Sequence, residues 1–501
     1  MLETSSFKAR GDYIDGRFEL PAQPSGAIEL EDPGDLSALR GSFPFASESI
    51  GRAVESARRA FPAWRDGASN ERVQALRRLQ EIIQSEAENL AEVIAVEVGK
   101  PLWEARTEVS AMVNKIEITL SDGLELVRER SFESTPGQTA RWRAHARGVL
   151  AVLGPFNFPG HLSHGHVVPA LATGNSVVVK PSERAPAVGQ LYAELISRAG
   201  FPPGVFNLIQ GDGTQGAKLA SHPDVQGVLF TGSYSVGKRI REATLEQPWK
   251  LVALEMGGKN GVLVCEDADL EAAANAIAFG AAVTAGQRCS ATSRVIVMRG
   301  VSDPLIERLT RLFKEIRVGY ALDENVFMGP LISAAAREHH ARVLALARED
   351  GAELLVAGGP TDGPRPGHYV RPSLHRLPAL SRTSDYQQQE HFIPDVCILE
   401  VDSLDEGCGA LNATDYGLSG SVFTRERARF EQVYRESRMG ILNWNTSTVG
   451  ASSRLPFGGL GRSGNDRPAG VAATLYCTHP VASLELEQPT EPPQAPGFPR
   501  A

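Results

Sequence analysis

Hydrophobic positions change rhythm twice along this chain. Through residues 47–130 they recur at helical spacing: Val73, Leu76, Leu79 and Ile83 fall three and four apart, and Ser69 or Asn70 stands ready as an N-cap. Lys100-Pro101 interrupts the pattern and Trp103 to Lys115 resumes it. Residues 131–147 place turn residues between polar, alternating flanks, which predicts an exposed β-hairpin arm of the kind that pairs with something. From residue 148 come short apolar runs at Val149–Leu153, Val177–Val179, Val205–Ile209, Val228–Phe230, Leu251–Leu254 and Val262–Val264, with helical stretches between most of them. Strands apolar on both faces that alternate with helices predict a parallel sheet covered on both sides. Such sheets take ligands at the carboxyl ends of their strands. A second α/β region is expected from about 265 to 455; it opens on the Ala-rich stretch 268–286 and holds a Gly/Pro loop at 357–367. The Pro-rich tail 488–501 is expected to be extended or disordered.

Composition narrows the class of protein. At 501 residues the chain exceeds one core, and a length of ~150 residues per domain suggests about three. Lys+Arg 51 against Asp+Glu 60 leaves a formal charge of −9, which argues against broad attraction to nucleic acid or an anionic membrane. No apolar run approaches the ~20 residues of a membrane span, and the first residues lack the apolar core of a secretory signal. The 5 cysteines are odd in number and widely spaced, so neither a disulfide framework nor a cysteine-only zinc site is expected. These features together predict a soluble, reduced, cytoplasmic protein.

Several segments could carry chemistry, and each has a plainer reading beside it. Gly211-x-Gly213-x-x-Gly216 matches a dinucleotide fingerprint, but no well-placed acid closes the following strand. Phe230-Thr-Gly-Ser233 ends a strand and leads into a helix; its glycine admits a phosphate, or simply makes a tight turn. Cys289 is either a nucleophile or a small buried apolar residue. Glu255 ends a strand ahead of Gly-Gly, where a carboxylate is costly unless it faces a cleft. His161, His164 and His166 are spaced like metal ligands, yet no thiol or carboxylate lies near them in sequence, and no metal is expected.

Taken together, the segments resemble the aldehyde dehydrogenase superfamily from about residue 10 to 487. The motifs that carry the resemblance are P-F-N-F-P at 155–159, K-P-S-E at 180–183, F-T-G-S with Gly237, E-M-G-G-K at 255–259, G-Q-R-C at 286–289 and P-F-G-G at 456–459. K-P-L-W-E at 100–104, E-V-S-A-M-V-N-K at 108–115, P-G-H-L-S-H-G-H at 159–166, N-W-N at 443–445 and the run 457–468 look most like the branch that oxidises N-succinylglutamate 5-semialdehyde in arginine breakdown. The resemblance implies an α/β fold: a Rossmann-type NAD-binding domain (1–130 and 148–256), an α/β catalytic domain (257–455), and an oligomerisation arm (131–147 and 470–487) that makes a homodimer or homotetramer.

The same resemblance implies roles. Cys289 would attack the aldehyde to give a thiohemiacetal, Asn157 and the Cys289 N–H would hold its oxyanion, and Glu255 would activate the water that hydrolyses the thioester. NAD would lie against Phe156, Lys180, Ser182, Glu183, Gly213, Gly232, Ser233, Tyr234, Ser235, Val236, Gly237, Gly257, Glu390 and Phe392. An acid at 183 favours NAD over NADP. His161, His166, Arg288, Asn445 and Arg454 are candidates for the far end of the substrate. Three departures bear on this. Ile393 stands where the family usually has Gly, so the loop that holds Glu390 is expected to differ, because Ile resists a positive φ. Gly261 replaces a common proline, and His164 a common asparagine. The alternatives are another semialdehyde or aliphatic aldehyde as substrate, an acyl-transferring relative, and a catalytically silent scaffold.

Overall fold

The computed structural model describes residues 7–488 and 496–497; most of the tail expected to be extended lies outside the described residues. Two short strands, β1 (Asp12–Ile14) and β2 (Arg17–Glu19), open the chain, followed by a hairpin of β3 (Gly26–Asp32) and β4 (Asp35–Phe45). Sequence reading passed over this hairpin, although Ile28, Leu30 and Asp32 are buried and their neighbours Ala27, Glu29 and Glu31 exposed, the period-2 pattern of a half-buried strand.

The predicted helical region resolves into α1 (Ser49–Asp66), α2 (Ser69–Ser85), α3 (Ala87–Val98) and α4 (Leu102–Ile118). Leu76, Leu79 and Ile83 are fully buried, as their spacing requires. The N-cap is misplaced in the sequence reading: Ala68 occupies it without any side-chain bond, and Ser69 already lies in the helix. Pro101 caps α4, since a proline ring cannot continue the preceding helix.

The predicted hairpin forms, one residue earlier at each end. β5 (Arg130–Thr135) pairs with β6 (Gln138–Ala146), and the strand Thr478–Leu486 adds to the other edge of β6. Then β7 (Val149–Leu153), α5 (His161–Ala172), β8 (Ser176–Lys180), α6 (Pro186–Arg198), β9 (Phe206–Leu208), α7 (Gly213–Ser221), β10 (Gly227–Thr231), α8 (Tyr234–Ala243) and β11 (Leu251–Glu255) build one sheet in the order β11-β10-β7-β8-β9-β1-β2. The five strands β7 to β11 run parallel, and β1 joins antiparallel at β9. Helices cover both faces: Leu150 and Val152 of β7 pack into the core shared with α2 to α6, Ala151 and Leu153 into the one shared with α1, α7 and α8.

The apolar run Val262–Val264 does not belong to that sheet. It is β12 (Asn260–Val264), which pairs with β13 (Thr292–Met298) at the centre of a second sheet. That sheet runs Glu353–Val356, Ser373–Arg376, Asp395–Val401, β13, β12, Ser419–Phe423, Ile441–Trp444, and α9 (Leu270–Ala282) covers part of one face. Among the described residues no helix is long and apolar enough to cross a membrane.

In the first sheet β7 has β8 on one side and β10 on the other, so the chain winds outward in both directions from it. A crevice opens at the carboxyl ends of strands at such a switch point.

Candidate active site

Every loop that leaves the first sheet at β7, β8, β10 and β11 contributes to a cavity of about 600 Å³ at that crevice. Its wall holds Phe156 and Asn157 after β7, Lys180, Ser182 and Glu183 after β8, Gly232 and Ser233 after β10, and Gly257 after β11. Gly213 and Val236 join from α7 and α8, and Glu390 and Phe392 from the loop ahead of the strand Asp395–Val401. Gly211–Gly216 is thus a wall of this cavity: Asp212 caps α7, its carboxylate accepting from Thr214 N at 2.8 Å. Ser233 caps α8 in the same way, so an N-terminus with bare N–H groups faces the crevice.

Three expected residues stay outside this cavity. Tyr234 turns its ring beneath the Arg462 guanidinium, 5.2 Å from its centroid. The Ser235 hydroxyl bonds Ser233 Oγ at 3.0 Å on the exposed side. Gly237 faces the Met256 thioether, where a Cβ would lie 2.5 Å from sulfur, so its role is helix-to-strand packing. Sequence reading also missed Arg239 and Thr231, which line the wall.

Glu390 and Phe392, in the loop that carries Ile393, line this cavity. The positive φ falls on Phe392, at 60°, and not on Ile393, whose side chain is buried. Glu390 Oε1 accepts from Gly258 N at 2.9 Å, and a Cβ on Gly257 would overlap its carboxylate, so only glycine fits there. Burial raises the Glu390 carboxyl to about 7.

A second cavity of about 340 Å³ shares Asn157, Leu162, Thr231, Met256 and Cys289 with the first. Cys289 sits where the two meet. Its loop is held by strained backbone: Thr284 and Ala285 both have positive φ (56° and 52°), followed by Gly286 at 71°. The Glu104 carboxylate, fully buried, braces that turn by accepting from Thr284 N, Thr284 Oγ1 and Arg288 Nη2. Asn260 Nδ2 donates to the Cys289 carbonyl at 2.8 Å and fixes it from below. Burial, with Glu390 and Glu255 nearby, pushes the thiol up to about 12.

Glu255 ends β11 and lines the second cavity. Burial raises its carboxyl well above the ordinary range. One oxygen accepts from Ala469 N at 3.3 Å; Oε2 is buried and has no partner. Asn157 Nδ2 donates one hydrogen to the Gln287 carbonyl at 2.9 Å, which fixes the amide beside Cys289. The arrangement therefore holds a thiol, a neutral donor and a carboxylate with an unused oxygen around one space.

The three histidines diverge instead of converging. His164 bonds Tyr192 Oη and the Met112 carbonyl, and His166 bonds Tyr476 Oη and Thr231 Oγ1. His161 lines the second cavity, and its Nδ1 has no partner. Arg288 and His166 line the cavity too, but Asn445 does not: its amide closes on Thr424 N and O at the end of the second sheet. Arg454 lies at a neighbouring surface pocket, paired with Asp122 at 2.8 Å.

Glu108 and Lys115, on one face of α4, also line this cavity. Both stand in the 108–115 motif, yet neither was read as a site residue. A lysine on the buried stripe of an amphipathic helix was the available signal.

The aldehyde dehydrogenase family model matches residues 22–481. The N-succinylglutamate 5-semialdehyde dehydrogenase of Novosphingobium aromaticivorans is 39% identical over 470 residues, covering 92% of this chain and 96% of that one. The enzyme of the same name from Paraburkholderia xenovorans is 39% identical over 478 residues, covering 95% and 96%. Among solved structures, the NAD-dependent aldehyde dehydrogenase of Sinorhizobium meliloti superposes with a TM-score of 0.91 at 30% identity, covering 96% of each chain. With the family model spanning nearly its whole length, this chain belongs to the aldehyde dehydrogenase family.

Proposed function

We infer that this protein is an NAD-dependent dehydrogenase that oxidises N-succinyl-L-glutamate 5-semialdehyde to N-succinyl-L-glutamate, as its relatives' names suggest. The observation that carries the chemistry is the position of Cys289 at the junction of two cavities, with the Asn157 amide and the unpartnered Glu255 oxygen beside it.

The larger cavity suits a dinucleotide. It has the capped N-terminus of α8 for a pyrophosphate, with Gly232 on the wall beside it, and Lys180 and Glu183 for ribose hydroxyls. Glu390 and Phe392 line the same cavity, as does Cys289. When bound there, NAD supplies the hydride acceptor that turns a thiohemiacetal into a thioester.

The chain's own residues do the rest. The Cys289 thiol gives its proton to solvent water as its sulfur bonds the aldehyde carbon, while the Asn157 amide donates to the developing oxyanion. An oxyanion donor of this kind is worth about 2.7–4 kcal/mol. Glu255, with its high proton affinity and free Oε2, then takes a proton from water as that water attacks the thioester. The acid leaves, and Cys289 is restored. His161, His166 and Arg288 line the space for the rest of the substrate. We place the enzyme in the cytoplasm, as a homodimer or homotetramer joined through the arm.

The test is NADH formation at 340 nm with N-succinylglutamate semialdehyde beside succinate semialdehyde and propanal. Strong preference in kcat/KM for the succinylated aldehyde is expected, with no turnover by Cys289→Ala. Equal use of propanal would remove the assigned substrate, and turnover by the Cys289→Ala enzyme would remove the nucleophile.

A further inference from the structure

The second cavity has an uneven distribution of charge. Glu108 is neutralised within the protein: Lys100 Nζ lies 2.5 Å from Oε2, and Oε1 accepts from Gly160 N and His161 N at 2.9 and 3.0 Å. Arg288 is committed to Glu104 and Thr284. Lys115 is different. Its side chain is buried and lines the cavity, and among the described residues its ammonium makes one bond, to the Gly470 carbonyl at 2.6 Å. Among the described residues no carboxylate pairs with it. An ammonium carries three donors, so two remain.

Burying an unpaired ammonium is costly, and chains seldom retain one without use. The same wall holds a second unsatisfied group, the buried Nδ1 of His161, whose protonation is disfavoured by burial first and then by the charges of Lys115 and Lys100. Two groups on one cavity wall, an ammonium with donors to spare and an imidazole nitrogen without a partner, form a receptor for an anion that enters from the cavity.

We propose that Lys115, with His161, determines specificity by binding a carboxylate of the semialdehyde substrate. The substrate class is thereby an aldehyde acid: the ammonium meets the carboxylate, and the imidazole completes its hydrogen bonding. This rests on the reading of the same cavity as the aldehyde site. Arg288 and the two other histidines of α5 are already satisfied by the protein, so the discriminating charge comes from α4.

The experiment compares kcat/KM for N-succinylglutamate semialdehyde, succinate semialdehyde and propanal in wild type and Lys115→Met. A charged hydrogen bond lost to a ligand corresponds to a fall of about 10- to 100-fold. That fall is expected for both anionic aldehydes, mainly through KM because uniform binding leaves kcat alone, while propanal, which has no carboxylate, stays within about threefold. An equal fall on propanal, or no fall on the anions, overturns the proposal. If wild type ignores the succinylated aldehyde but K115M still loses succinate semialdehyde relative to propanal, the assigned substrate fails and the role of Lys115 stands. Should K115M not melt cooperatively, the same ratios are read in His161→Phe. A smaller loss confined to the anions is expected there, and its absence overturns the proposal.

Discussion

Glu255 ends a strand buried on both faces, and its carboxyl is raised by that burial. A raised pKa makes it a stronger base but leaves it protonated over more of the acid range. Activity that needs the carboxylate is lost as pH falls through the raised pKa, so the acid limb of kcat should lie well above the ordinary carboxylate range. Glu255→Gln is expected to lower kcat by about 10²–10⁴ and to abolish that limb. Turnover measured from acid to alkaline pH in both enzymes checks this, and an acid limb unchanged in E255Q would assign it to another group. Glu390, raised to about 7, is the nearest competitor for such a limb.

At the level of elements, α4 is the brace of the site. Its N-terminal turn supplies Glu104 to the Cys289 loop, and its middle supplies Glu108 to the start of α5. Lys100 precedes the helix and closes the pair with Glu108, both side chains fully buried. Removing one partner of a buried pair strands the other, at a cost of about 3–5 kcal/mol, whereas replacing both with apolar groups is often neutral. Glu108→Ala should therefore lower the urea midpoint strongly, and Lys100→Met with Glu108→Leu should recover part of it. If E108A melts like wild type, the pair contributes no net stability. Orphaned N–H groups at Gly160 and His161 would keep the double variant below wild type.

At the scale of the whole molecule, the arm leaves an apolar face uncovered among the described residues. In the arm, Phe132, Ala140 and Leu484 stand opposite one another across three strands, so they share a face with Trp142 and Ala482. Phe132 is 67% and Leu484 66% exposed, while Arg141, Arg143 and Glu485 on the opposite face pair with one another or with Glu129. An amphipathic three-stranded sheet of this kind seeks a second surface. Leu484→Glu should shift the particle to a smaller species in light scattering coupled to size exclusion, with its melting profile largely kept. A variant of unchanged mass would mean that the arm does not carry the assembly.

Local pattern was enough to place most of the parallel strands, the helical region and the hairpin, because a strand buried on both faces needs a continuous apolar run and a helix a periodic stripe. Motif order was enough to bring Cys289, Glu255 and Asn157 forward together. Pattern failed where the information was not local. Val262–Val264 reads like its predecessors, and only the pairing of β12 with β13 assigns it to the second sheet. Asn445 and Arg454 were plausible by residue type, but the direction of a side chain depends on the packing around it, and theirs lead to Thr424 and Asp122. Ile393 avoids a positive φ, as its branched side chain predicts, but only the folded loop shows that Phe392 takes that conformation instead. Lys115 reads as one more polar residue among helical positions until the fold closes over it. The sequence by itself determined most of the elements and singled out the candidate reacting groups, whose signals lie within a few residues. The tertiary structure alone decided which groups face one cavity and which charge there lacks a partner, because burial and pairing are properties of segments brought together from far along the chain.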